Sequence, residues 1–241
     1  MARNKAAENA SHFIAERIKQ AKLLRETFEG HPPLVISPYD AELYGHWWFE
    51  GPQFIDFFFK KIHFDQDDIQ CITPSDFLDS GLPIQEQNPT ASSWGENGYY
   101  KVWINEGNSW MYPYQHDAER RMTELVNRFA DTETQDYEPT ASQSLTVPAS
   151  RILNQAAREL LLAQSSDWAF QIYQGTTVQY SSRRFQSHIQ RFNMLAEMLS
   201  ESPAVAGGLT LTPEQLDLLT EIESRDNIFA EIDWRHFCTS S

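Results

Sequence analysis

The stretch Leu34-Val35-Ile36-Ser37-Pro38-Tyr39-Asp40-Ala41-Glu42-Leu43-Tyr44-Gly45-His46-Trp47-Trp48-Phe49-Glu50-Gly51-Pro52 joins a short apolar run to a segment crowded with acids and rings. From Ser37 to Pro52, sixteen residues carry three carboxylates, one imidazole and five aromatic rings. The run at 34–37 predicts a strand, and a strand that empties into such a cluster is how α/β barrel enzymes present reactive groups. Asp40 then stands where a catalytic acid is expected. Aromatic rings beside carboxylates suit a sugar, whose C–H face stacks on rings while its hydroxyls bond to acids. The plain alternatives are an N-cap or turn for Asp40 and core packing for the Trp47-Trp48 pair.

Upstream, Ile14, Ile18, Ala21, Leu24 and Phe28 recur at helical spacing and predict a helix over 6–28, stopped by Glu29-Gly30 and Pro32-Pro33. Downstream, Phe54, Ile55, Phe58, Phe59 and Ile62 form an apolar helical stripe. A second strand is expected over 69–73, then a short capped helical turn over 73–78. This helix, strand, helix, strand order fits the last units of a barrel.

Between 80 and 114 the periodicity dissolves into Gly, Pro, Asn, Ser and aromatics, among them Trp94, Trp103 and Trp110. So long an irregular stretch suggests binding loops, the alternative being rings that plug surface gaps. From His116 onward the pattern is helical. Met122, Leu125, Val126 and Phe129 mark one helix, and 131–146 reads as a polar linker. Ser150 is read as the cap of a second helix reaching Ala163, and Phe185, Ile189, Phe192, Ala196 and Leu199 mark a third, stopped by Ser202-Pro203. Thr212-Pro213-Glu214-Gln215 opens a fourth as a capping box with Pro at the first helical position.

The chain has 19 Lys and Arg against 34 Asp and Glu, a net charge of −15, which argues against nucleic acid and anionic membranes and suits a neutral polysaccharide. Two cysteines, Cys71 and Cys238, give no disulfide framework, and neither a signal peptide nor a membrane span is read; a cytoplasmic protein is expected. The histidines lack metal-ligand spacing and no glycine-rich phosphate loop is present, so neither a metal nor a cofactor is expected.

The segment around Asp40 resembles the fourth conserved region of glycoside hydrolase family 57, specifically its α-1,4-glucan branching enzymes. In the same order follow Ser93-Trp94-Gly95-Glu96-Asn97-Gly98-Tyr99, Val102-Trp103-Ile104-Asn105, Asn108-Ser109-Trp110-Met111-Tyr112-Pro113 and Leu160 through Phe170, all similar to branching-enzyme sequence. The resemblance implies a mainly α protein with some β. Residues 1–115 would be the last strand–helix units of an incomplete (β/α)7-type barrel, and 116–241 a helical C-terminal domain. It implies Asp40 as general acid/base. It also implies Trp94 and Trp103 as walls of a glucan cleft, with His46, Trp47, Asp167 and Trp168 as further substrate contacts. Without it, Asp167-Trp168 reads as a helix-end acid and a core tryptophan, and His46 as a packed histidine.

Retaining glycosidases use two carboxyl groups about 5–5.5 Å apart. By resemblance the nucleophile is a Glu upstream of the Asp motif, yet only thirty-nine residues precede Asp40, and neither that region nor the His-Gln-Pro motif is among them. Glu42 lies too near Asp40 to face it across a sugar, and nothing in the sequence sets Glu50 opposite. The chain therefore resembles the C-terminal half of a branching enzyme acting on amylose, glycogen and maltooligosaccharides. It is expected to be inactive alone, the missing N-terminal half being either encoded separately or lost by truncation or a wrong start. The alternative is a non-catalytic glucan-binding or interaction protein.

Overall fold

The computed structural model describes residues 2–28, 31–84, 86–130, 145–202, 204–205 and 208–238. The fold is mainly helical with one small, open sheet, and the chain divides into two compact units, Met1–Asn88 and Pro89–Ser241.

In the first unit, α1 (Ala2–Thr27) packs on α2 (Gly51–Phe64). Ala6, Ala10 and Ile14 recur every four residues and are the buried stripe of α1. Phe13 meets Phe54 and Phe58 edge-on at 5.9 and 5.7 Å. A short helix, α3 (Pro74–Asp79), opens on the expected cap: Thr73 accepts from the Asp76 amide, and the Asp76 carboxylate accepts from the Thr73 amide. Neither expected strand forms. Residues 34–37 and 69–73 have no ladder partner among the described residues, and Leu34, Val35 and Ile36 are exposed. An apolar run becomes a strand only when another chain segment fills its hydrogen bonds.

The second unit is built on α4 (Met111–Ala130), α5 (Ala149–Ala163), α6 (Ser166–Gln174), α7 (Val178–Glu201) and α8 (Pro213–Arg225). Its core centres on α5 against α7, with α4 and α6 also packed on α7. Ile152, Leu153, Ala156, Ala157 and Leu160 of α5 and Phe185, Phe192, Leu195, Ala196 and Leu199 of α7 are buried. Each buried Leu, Ile or Phe contributes about 1.5–3 kcal/mol, so Phe192→Ala is expected to cost about 3–5 kcal/mol. Thr212 and Gln215 form the reciprocal cap that starts α8.

Three differences from the sequence reading stand out. Helix α4 begins at Met111, inside the stretch read as irregular. The cap residue of α5 is Pro148, not Ser150. The polar linker ends in a strand, β1 (Thr146–Pro148), which pairs with β3 (Gly208–Thr210), and β3 pairs in turn with β2 (Ala204–Val205), all antiparallel in the order β1-β3-β2. Strands this short leave too few residues for a visible alternation. The rest of the linker, the stop at 29–30 and Pro203 lie outside the described residues.

The boundary between the units falls after Asn88, so residues 89–114 of the aromatic segment group with the helices.

Candidate functional site

Asp40 stands in extended backbone (φ −64°, ψ 133°) at the start of a 3-10 turn, Ala41–Leu43, and its exposed side chain makes no capping bond. The turn is closed by main chain alone. Trp47 N donates to Glu42 O, Trp48 N to Leu43 O, and Gly45 N to Trp48 O, at 2.9–3.0 Å. Gly51 completes it. A Cβ there would come within 2.6 Å of the Tyr44 Cα, so only glycine lets the start of α2 approach this closely.

The Trp47-Trp48 pair splits its duties. Trp48 turns inward, its ring 5.0 Å from Phe54 of α2. Trp47 is 74 % exposed, with His46 set edge-on to it at 5.0 Å. The turn thus anchors itself through Trp48 and holds out Asp40, His46 and Trp47 to solvent.

In the second unit Ser93 organises the aromatic segment. Its hydroxyl donates to Tyr99 O and accepts from Gly95 N and from Trp103 Nε1, both at 3.0 Å. Ser93 N donates to Gly98 O, and Asn97 and Gly98 take left-handed conformations (φ 57° and 77°) to close the turn. Asn is among the few side-chain residues that tolerate such φ values. Glu96 accepts from the Tyr173 hydroxyl of α6, which pushes the Tyr173 pKa up.

Asn108, fully buried, bolts the next turns in place. Its Oδ1 accepts from Asn105 N at 2.8 Å, and its Nδ2 donates to Val102 O at 3.0 Å and to Ala169 O of α6 at 3.3 Å. Trp94 projects from this closed framework 75 % exposed. Trp103 is half-buried, tilted against Phe170 at 6.4 Å.

Asp167 lies in the first turn of α6, exposed, and accepts from Ser165 Oγ at 3.3 Å. Trp168 beside it is 9 % exposed: its Nε1 donates to Leu162 O at 2.8 Å and its ring stacks on His188 at 6.3 Å. Its ring face is therefore occupied by protein. Of the seven residues singled out in sequence, Asp40, His46 and Trp47 share one turn of the first unit. Trp94 and Trp103 share one framework of the second, where Asp167 and Trp168 sit on α6.

Sequence reading missed a buried charged group. Glu159 and His188 are fully buried and Asp226 nearly so. His188 Nδ1 lies 2.7 Å from Glu159 Oε2, Arg191 NH1 lies 2.7 Å from Asp226 Oδ2, and Arg184 NH2 lies 3.1 Å from His188 Nε2. Because Arg184 can only donate, Nε2 accepts and the ring proton sits on Nδ1, directed at Glu159. Burial raises the Glu159 pKa, opposed by the His188 hydrogen bond. Ligand atoms of Glu159, His188 and Asp226 fall within 4.8 Å of one another, spacing that a metal could use. Here the guanidinium of Arg191 already sits on the carboxylate and that of Arg184 on the imidazole, so the group reads as a closed ion-pair network tying α5, α7 and the end of α8.

The family described as "1,4-alpha-glucan branching enzyme, C-terminal" matches residues 114–237. The chain belongs to this family. It is 33 % identical over 235 residues to a 1,4-alpha-glucan branching enzyme of Thermococcus kodakarensis, covering 96 % of this chain and 31 % of that protein. A probable 1,4-alpha-glucan branching enzyme of Mycobacterium tuberculosis is 28 % identical over 171 residues, 71 % of this chain and 31 % of that one.

Among solved structures, the Thermococcus branching enzyme of glycoside hydrolase family 57 matches with a TM-score of 0.71 at 29 % identity, over 99 % of this chain and 40 % of that chain. The α-amylase AmyC of Thermotoga maritima matches with a TM-score of 0.65 at 32 % identity, over 100 % of this chain and 40 % of that chain. The chain thus spans about a third of the length of the curated relatives it matches. Among the described residues, no helix is long and apolar enough to cross a membrane.

Proposed function

We propose that this chain supplies the C-terminal portion of a retaining 1,4-α-glucan branching enzyme, with Asp40 as general acid/base and Trp94 and Trp103 as glucan platforms. The observation that carries the reading is Trp94: an indole 75 % exposed on a turn closed by Ser93, Gly95 and Gly98 is a ring presented to solvent. His46 and Trp47 extend the sugar contact beside Asp40. Asp167 and the adjacent Trp168, in the first turn of α6, complete the substrate contacts.

The chemistry is a double displacement. A nucleophilic carboxylate outside these residues takes a glucan segment covalently while Asp40 protonates the departing glycosidic oxygen. Asp40, now ionised, then removes the proton from an acceptor 6-hydroxyl, whose oxygen attacks the anomeric carbon, displaces the nucleophilic carboxylate and makes an α-1,6 branch. Aromatic walls favour transfer over hydrolysis by limiting water at the covalent intermediate.

One carboxylate cannot complete this cycle, so the chain alone is inactive on amylose. The test is branch formation from amylose by the purified chain, alone and mixed with the nucleophile-bearing part of a relative. No branching alone and activity on mixing support the reading; α-1,6 branches made by the chain alone overturn it.

A second reading, a non-catalytic glucan-binding protein, is favoured by the position of Asp40, Glu42 and Glu50 on one loop, with none set opposite another in the sequence. Binding of maltoheptaose with no activity on mixing selects it.

A further inference from the structure

A groove of about 460 Å³ lies between the start of α4 and the outer face of α7, within the range of small-ligand sites, roughly 300–1,000 Å³. Trp94 and Trp103 do not line it. We propose that this groove is a second α-glucan-binding site on the helical unit, a claim that rests on the glucan reading above.

Three features select the ligand. The floor is apolar and fixed: Trp110 sits edge-on to Phe185 at 5.5 Å, with its indole N–H tied to Gly107 O at 3.1 Å. One turn further, Tyr114 is 58 % exposed at the groove wall, offering a ring face and a hydroxyl. Along the other wall Gln186, Gln190, Asn193 and Glu197 follow one another at steps of four, three and four, a single stripe of α7 about 16 Å long.

That wall is a row of carboxamides with one carboxylate, and among the described residues no Lys, Arg or His lines the groove. Arg121, which does not line the groove, donates from NH1 to Asn193 Oδ1 at 2.6 Å. A phosphate or other anion would meet the Glu197 carboxylate in the groove wall and no lining cation, in a chain of net charge −15. A purely apolar ligand would leave the amides unpaired. A neutral oligosaccharide satisfies both surfaces, with C–H faces on Trp110 and Tyr114 and hydroxyls on the amide row. A second site on the helical unit would hold a long glucan while its end is worked on elsewhere, and raises its effective concentration there.

The test is a two-dimensional proton–nitrogen NMR titration of the 241-residue chain with maltoheptaose. It reads the side-chain amide signals of Gln186 and Gln190 and the indole N–H signal of Trp94. The expected result is a saturable shift of the glutamine signals. Tyr114→Ala should weaken that response about fivefold, the size of one aromatic contact, while leaving the Trp94 response unchanged. Gln190→Ala, an exposed helix position that tolerates alanine, should weaken the Gln186 response likewise. A Trp94 shift with silent glutamines overturns the second site while leaving the proposed function standing. Silence of all three signals overturns both. Glutamine shifts that follow protein concentration without sugar make the groove a contact between copies of this chain, and overturn the proposal too.

Discussion

The indole nitrogen of Trp103 donates to the hydroxyl oxygen of Ser93 across 3.0 Å, and the same oxygen accepts from the Gly95 amide that follows Trp94. One serine therefore sets the orientation of one tryptophan and the turn that displays another. Ser93→Ala leaves a half-buried indole N–H and the Gly95 amide without their acceptor, an expected loss of about 1–3 kcal/mol. Urea unfolding checks the stability change, and maltoheptaose titration followed by tryptophan fluorescence should show weaker binding.

Trp94 and Trp168 should separate cleanly. Trp94→Ala removes an exposed ring and is expected to change stability by less than about 0.5 kcal/mol while reducing the maltoheptaose response. Trp168→Ala empties a buried site packed on His188, at about 3–5 kcal/mol. Thermal unfolding alongside sugar titration distinguishes the two, and equal sugar responses in wild type and Trp94→Ala would remove that ring from the platform.

Asp40→Ala should leave the melting temperature unchanged, because the exposed carboxylate caps nothing. In a mixture where a partner segment restores branching, the same variant should abolish it. Retained α-1,6 branch formation would move the acid/base elsewhere.

Glu159 gives stability a pH dependence of defined sign. Burial holds its folded pKa above the ordinary glutamate value of 4.5, so the folded state binds the proton more tightly than the unfolded chain. The stabilisation is fully present below the unfolded pKa and is lost as pH rises from 4.5 through the raised folded value. Glu159→Gln removes this term, and the variant should lose less stability than wild type across that window, measured by urea unfolding at stepped pH. An identical pH profile in the two proteins would contradict it.

Limited proteolysis should cut the first unit before the helices α4 to α8. Its α1 buries only Ala6, Ala10 and Ile14, while Ile36, Trp47, Phe49 and Phe64 are each more than 70 % exposed. The second unit has a continuous core through α4, α5, α7 and α8. Early cleavage within α5 or α7 would refute the ordering.

The helices were legible because their signals are local. The stripes Phe54 to Ile62 and Phe185 to Leu199 carry the 3.6-residue period, and Thr73 and Thr212 cap helices with partners three residues away. The aromatic framework was legible as composition, and its link to branching enzymes came through whole segments. Tertiary structure decided the rest. Whether 34–37 forms a strand depends on a partner strand and not on the run itself, since extended backbone needs an external ladder. The inward turn of Trp48 and the outward turn of Trp47 follow from where α2 lies. Glu159, His188 and Asp226 are separated by up to 67 positions and meet only when α5, α7 and α8 pack together, so no local spacing could reveal them.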